Sequence, residues 1–283
     1  VSESLVVEVG RAASVLAARG VENARLEAEV LLADVLGFDR AGLFAARRTC
    51  LDDHERRAFD TLIARRARRE PLQHVRGRQE FFSREFLVDR RVLVPRPETE
   101  TLVETALDLA RPLGDASVLD LGCGSGVVAI TMALELPGLT IVASDVSPDA
   151  VEVARDNARR LNVADGIEFG CGDLFDAVRG RRFDLVVSNP PYVARVELGR
   201  LAPEVCDYEP RIALDGGEDG LDFYRRLAPD AGDVLAEEGA VVVEMGHEQG
   251  SAVAEIFAAA GFRVVRTERD LTGIERVLVV RRG

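Results

Sequence analysis

From residue 100 onward the chain alternates short apolar runs with stretches of helical periodicity, and few folds accept that alternation. Strands are expected over 117–121, 140–144, 167–170, 183–188 and 240–244, with helices over 100–110, 127–136, 148–162, 221–236 and 251–260. Such a succession marks an α/β fold, a parallel sheet covered on both faces. Two closing segments, 263–267 and 276–280, read as strands joined by a short loop, so the final strand should run antiparallel to its neighbour. That makes a sheet of seven strands.

The first part of the chain is different. Leu5, Val9, Ala12 and Leu16 form one helical stripe that Gly20 stops. Asn23 can cap a second helix carrying Leu26, Val30, Ala33 and Leu36, which Gly37 ends. A short segment around Leu43 and Phe44 follows. Asp52 or Asp53 can cap a last helix bearing Phe59, Leu62 and Ile63, which closes in an arginine-rich turn before Pro71. Residues 1–72 are therefore expected to form a small all-α domain. Over 73–96 the pattern of Phe81, Phe82, Phe86, Val88, Val92 and Val94 suggests a β-hairpin connector, and Pro95 and Pro97 delay the next helix. The α/β domain would occupy 97–283.

Composition narrows the partners. The formal net charge is −13 over 283 residues, whereas a protein that grips nucleic acid through its backbone normally shows a basic face. The run Arg65, Arg66, Arg68 and Arg69 reads instead as a solvated helix face. No direct nucleic-acid partner is expected. Neither a run of ~18 apolar residues nor a basic start followed by an apolar stretch is present, which points away from a membrane and toward the cytoplasm. Cys50, Cys123, Cys171 and Cys206 are scattered and form no C-x-x-C pair, so no metal site is expected.

Chemistry concentrates at strand ends. Val118 to Gly126 (VLDLGCGSG) is an apolar strand entering a glycine turn at a helix start, where a nucleotide-type ligand would sit against the backbone. The glycines are spaced G-x-G-x-G, which does not fit the G-x-G-x-x-G of nicotinamide cofactors. The next strand ends in Asp145, about 20 residues on, where a carboxylate can accept both ribose hydroxyl protons. The third ends near Asp173 and Leu174, which can accept from an adenine amino group and pack on its ring. Any one of Asp120, Asp145 and Asp173 could be a plain turn residue; three acids at successive strand ends beside this loop form a binding set. The arrangement resembles the class I S-adenosylmethionine methyltransferases, a Rossmann-like group, and the antiparallel last strand agrees. Asp120 could hold the loop or the amino group of the methionine.

Asn189-Pro190-Pro191-Tyr192 closes the strand over 183–188. An amide or exocyclic amino nitrogen is a poor nucleophile because its lone pair is delocalised. Fixed acceptors can localise that pair and aim it at a sulfonium methyl. The Asn189 side-chain oxygen and the Pro190 carbonyl are suitable acceptors, the prolines stiffen the loop, and Tyr192 can stack on a planar group. The alternative for the tetrad is a rigid strand-ending turn.

Further segments sharpen the resemblance. Glu70-Pro71-Leu72-Gln73-His74-Val75-Arg76-Gly77, Phe81-Phe82, Val94-Pro95-Arg96-Pro97-Glu98-Thr99-Glu100 and the run from Tyr208 to Gly220 (YEPRIALDGGEDG), together with the helical domain, resemble the peptide chain release factor glutamine methyltransferases over nearly the whole chain. The resemblance implies methylation of the side-chain amide of the glutamine in the Gly-Gly-Gln motif of class 1 release factors. It implies S-adenosylmethionine as cofactor, held by Gly122, Cys123, Gly124, Ser125, Gly126, Asp145 and Asn189. Asn189, Pro190, Pro191 and Tyr192 would hold the glutamine, Arg96 would stand in the active-site wall, and the helical domain would help hold the protein substrate. For Arg96 a salt bridge to Glu98 or Glu100 is the competing expectation. Rival substrates for such a tetrad are an exocyclic amino group in DNA or rRNA, or a glutamine of a ribosomal protein.

Overall fold

A computed structural model describes residues 4–46 and 50–283, without the side chains of Arg40 and Phe44. The chain divides into two compact units, Val1–Gly77 with Ala202–Tyr208, and Arg78–Leu201 with Glu209–Gly283.

The first unit contains helices α1 (Leu5–Ala17), α2 (Ala24–Leu36), α3 (Arg40–Ala45), α4 (Asp53–Arg66) and α5 (Leu72–Arg76), plus a short helix Pro203–Cys206. α1 buries Leu5, Val9, Ala12 and Leu16, as its stripe predicts. α2 departs from expectation: it buries Ala24, Ala28, Leu31, Leu32 and Ala33, while Leu26 is exposed. Packed against both α1 and α4, it turns its small alanines inward, where close helix approach is cheapest, and Leu26 outward. Asn23 occupies the N-cap position of α2, but its side chain makes no capping bond. Asp52 does cap α4, accepting from the backbone of His54 and Glu55 at 2.8 Å while Glu55 accepts from the Asp52 N–H.

The arginine run is not the solvated face expected of it. Arg66 is buried and paired with Glu27 and Glu204, Arg69 grips both oxygens of Glu204, and Arg65 pairs with Glu70. Removing a guanidinium from water is unfavourable unless carboxylates take up its donors, and these three acids do so. Residues 73–76, read above as the beginning of the hairpin connector, belong to α5, which Gly77 closes in the left-handed conformation.

The second unit opens with the hairpin β1 (Arg78–Phe81) and β2 (Arg84–Leu87), turned through Phe82 and Ser83 at positive φ. Val92 and Val94 lie beyond it, outside any strand. Val88 and Val92 are buried instead against Ala150 and Val153. Then come α6 (Thr99–Ala110), β3 (Ser117–Leu121), α7 (Val127–Glu135), β4 (Thr140–Asp145), α8 (Pro148–Arg160), β5 (Ile167–Cys171), β6 (Phe183–Ser188), β7 (Leu235–Glu244), β8 (Phe262–Arg269) and β9 (Glu275–Arg282). The seven-stranded sheet runs β5-β4-β3-β6-β7-β9-β8, with β9 antiparallel to both its neighbours. Apolar cores fill both faces, one under α6, α7 and α8, the other under helices Asp222–Val234 and Gly250–Ala259. Among the described residues no helix is long and apolar enough to cross a membrane.

The turn from β3 into α7 depends on Gly126. Its φ is +82°, and a Cβ there would come within 2.9 Å of Ile130 Cδ1 and 3.0 Å of Ala154 Cβ. Gly126→Ala should therefore cost about 1–3 kcal/mol through overpacking and backbone strain. Thermal denaturation checks this, and an unchanged midpoint would refute close packing at that position.

Candidate active site

Parallel pairing brings five strand ends to one level. Leu121 of β3 lies opposite Ser144 of β4, Asp145 opposite Cys171 of β5, Asp120 opposite Val187 of β6, and Ser188 opposite Val243 of β7. Beyond these ends lies a cavity of about 730 Å³. Its wall includes Gly122, Cys123, Gly124, Ser125, Asp145, Asp173, Leu174, Asn189, Pro190, Pro191 and Arg96. Gly126 and Tyr192, the remaining residues expected at the site, are not part of this lining.

The glycine loop is held from below. The Gly122 and Cys123 N–H groups donate to the Ser144 carbonyl at 2.8 and 2.9 Å. The Gly124 N–H donates to Asp145 Oδ2 at 2.9 Å, and Asp145 Oδ1 accepts from Ser147. Gly122 and Gly124 have positive φ, and a Cβ on either would meet no protein atom within 4 Å. Their faces are open to a ligand, while Gly126 is closed by its neighbours.

Buried acids surround the loop. Asp120 accepts the Ala129 N–H at 3.0 Å, and burial pushes its carboxyl up to about 7. Burial likewise raises Asp145 and Glu209, and holds the Cys123 thiol protonated. Asp173 is ion-paired to Arg226. Arg96 pairs at 2.6 Å with Glu209, not with Glu98 or Glu100; Glu100 instead accepts the Phe82 N–H.

The tetrad has its own scaffold. Asn189 Nδ2 donates to Thr99 Oγ1 at 2.9 Å, and Thr99 donates to Glu244 Oε2 at 2.8 Å. The Tyr192 hydroxyl donates to the other oxygen of Glu244 at 3.2 Å, and Gln249 Nε2 donates to the Tyr192 carbonyl. Burial raises the Glu244 carboxyl to about 7 against these two hydroxyls, and burial first, then Glu244, pushes the Tyr192 hydroxyl well above its usual range.

Sequence reading missed Thr99, Glu209 and Glu244 as parts of this region. It also missed Asn157 of α8, wholly buried, which exchanges hydrogen bonds with the Leu87 backbone and donates to the Ser125 carbonyl. A polar residue on the apolar face of an amphipathic helix was the available signal for Asn157.

The Asp120 shift carries a stability consequence. Its carboxyl ionises near pH 4 when unfolded and at about 7 when folded, so the folded state binds the extra proton and stability from this group falls across that interval. Asp120→Asn keeps an acceptor for Ala129 and removes the charge. Its melting point relative to wild type should thus be higher at about pH 8 than at about pH 5, each kcal/mol being worth roughly 2–4 °C. A pH-independent difference would refute the raised ionisation.

Comparison with known proteins agrees with this geometry. The family described as PrmC N-terminal domain matches residues 9–77, and the methyltransferase small domain family matches residues 98–204. A release factor glutamine methyltransferase of Geobacter sulfurreducens is 46% identical over 268 residues, covering 95% of this chain and 93% of the relative. One from Moorella thermoacetica is 40% identical, covering 97% of each. A methyltransferase structure from Pyrococcus furiosus shares the fold, with TM-score 0.53 at 20% identity over 77% of this chain and 96% of its own. Matched by such relatives at 40–46% identity over nearly its full length, the chain belongs to the release factor glutamine methyltransferase family.

Proposed function

We propose that the cavity binds S-adenosylmethionine and that its wall of Asn189, Pro190 and Pro191, with Tyr192 behind it, presents the side-chain amide nitrogen of the Gly-Gly-Gln glutamine of class 1 release factors for methylation. The observation that carries this reading is the shared cavity. The open faces of Gly122 and Gly124 and the acceptors of Asn189 and Pro190 lie on one wall system, fixed by the β3–β6 register.

The residues suit the cofactor. Gly122 and Gly124 leave room that any side chain would fill, Asp145 ends β4 where ribose hydroxyls can donate to it, and Asp173 and Leu174 border the place of a base. Cys123 and Ser125 complete the loop, and Gly126 shapes it from behind. Asp120 and Asp145 are desolvated acids, and a cationic ligand relieves the cost of ionising them. Bound there, S-adenosylmethionine supplies an electrophilic sulfonium methyl.

The chain's part is to orient. Asn189 Nδ2 is committed to Thr99, which turns Oδ1 toward the acceptor, and the Pro190 carbonyl offers a second acceptor. Two hydrogen bonds from one NH2 fix its plane and draw its lone pair out of conjugation. Pro190 and Pro191 bring no N–H that would compete. Arg96, braced by Glu209, borders the acceptor space, and Tyr192 anchors the end of the tetrad through Glu244. The helical unit helps to hold the release factor, a protein substrate of the cytoplasm.

Intact-mass analysis of a release factor after incubation with enzyme and cofactor should show one added methyl, absent when the Gly-Gly-Gln glutamine is changed to alanine. Methylated DNA or rRNA beside an unmodified factor would overturn the reading. Asn189→Ala should keep cofactor affinity within about tenfold and cut turnover roughly 10²-fold. Asp145→Ala should act through affinity, measured by calorimetry, and unchanged binding would remove it from the site.

A further inference from the structure

Glu244 lies wholly buried at the end of β7, with its carboxylate between two hydroxyls from different segments. β6 and β7 run parallel with Ser188 opposite Val243, so Asn189 and Glu244 leave the sheet at the same level. The backbone there is pinned as well: the buried Tyr224 hydroxyl donates to the Glu244 carbonyl at 2.7 Å. Burying a carboxylate is costly unless donors satisfy it, and both hydroxyl donors here serve one short stretch of chain. Thr99 leads to Asn189, and Tyr192 ends the same tetrad.

We propose that Glu244, acting through Thr99, is the positioning residue that fixes which end of the Asn189 amide faces the methyl acceptor. The inference rests on the amide-methylation reading and adds to it how the acceptor geometry is enforced. An asparagine amide has two orientations of nearly equal shape, one presenting oxygen and the other NH2. Only the oxygen can accept from the NH2 of a substrate amide; the flipped form sets donor against donor.

Hydrogen-bond direction resolves the choice. Once ionised, the Glu244 carboxylate only accepts, so the Thr99 hydroxyl must spend its single proton on it. The Thr99 oxygen is then left with lone pairs alone and must accept, which selects the Nδ2 end of Asn189. Direction passes from Glu244 to Thr99 to Asn189, and the amide oxygen falls on the acceptor side without reorganisation during reaction. Glu244→Gln would break this logic, because the new NH2 can donate to Thr99 and let the hydroxyl donate onward to a flipped Asn189.

The test uses full-length protein and a release factor at saturating cofactor, at a pH above the ionisation of Glu244 at about 7. Thr99→Val keeps the side-chain shape and removes the hydroxyl. It should slow single-turnover methyl transfer about tenfold or more while cofactor affinity stays within about threefold. Thr99→Ser should recover most of the rate, and Glu244→Gln should fall with Thr99→Val. Added to Asn189→Ala, Thr99→Val should have no further effect, since both act through one amide. A wild-type rate in Thr99→Val, or a full-sized loss in the Asn189→Ala background, would overturn the proposal.

A second readout does not need turnover. The side-chain amide resonances of Asn189, identified by their loss in Asn189→Asp, should show slowed hydrogen exchange in wild type and lose it in Thr99→Val and Glu244→Gln. Unchanged exchange in both variants would overturn the relay. Failure of the wild-type protein to methylate the release factor would instead remove the functional reading, and the exchange data would still decide the relay.

Discussion

The geometry of the site depends on the hydrogen bonding of β3 to two parallel neighbours. β4 on one side and β6 on the other are held in register by the same strand, so a shift of one residue in either would displace an acid or the tetrad. A slip would also turn each strand's side chains to the opposite face, and both faces carry apolar cores. Register is thus enforced by the burial of Val118, Leu119, Leu185 and Val186, none of which lines the cavity. Precision in the cavity is inherited from packing beneath it.

A second pattern is the handling of charge. The chain carries 36 basic and 49 acidic residues, and the arginines discussed above are largely engaged by acids. Arg96 borders the cavity with its guanidinium already neutralised by Glu209, and Arg226 likewise by Asp173. Such pairs stiffen a wall without leaving a free positive field to collect polyanions. Around the glycine loop the balance is the reverse: Asp120 and Asp145 are acids short of a cation.

Much of this was legible in the residues, and the exceptions have physical causes. Apolar strands and helical stripes announce themselves locally, so the sheet, its antiparallel last strand and the glycine loop followed from periodicity and spacing. In α2 the expected stripe failed at Leu26, although its Ala33 is buried, because leucines stand on both faces of this helix and the pattern alone does not choose between them. The arginine run looked solvated because Glu204, its partner, lies far along the chain. The same reason hid Glu244: its importance comes from a lateral pairing of β6 with β7, which no local window contains. Thr99 was quoted within a motif, but only the fold shows that its hydroxyl joins two strand ends.

The composition of the helical unit has an evolutionary consequence. Its residues come from two stretches, the amino-terminal one and Ala202–Tyr208, and Glu204 and Tyr208 are bonded within it to Arg66, Arg69 and the Arg68 carbonyl. A gene fusion that joined the first stretch to another methyltransferase would leave Arg66 and Arg69 without their shared acid. Recombination at the single junction after Gly77 is therefore penalised, and the helical unit should descend together with the loop that follows the tetrad, as one inherited pair and not as an exchangeable module.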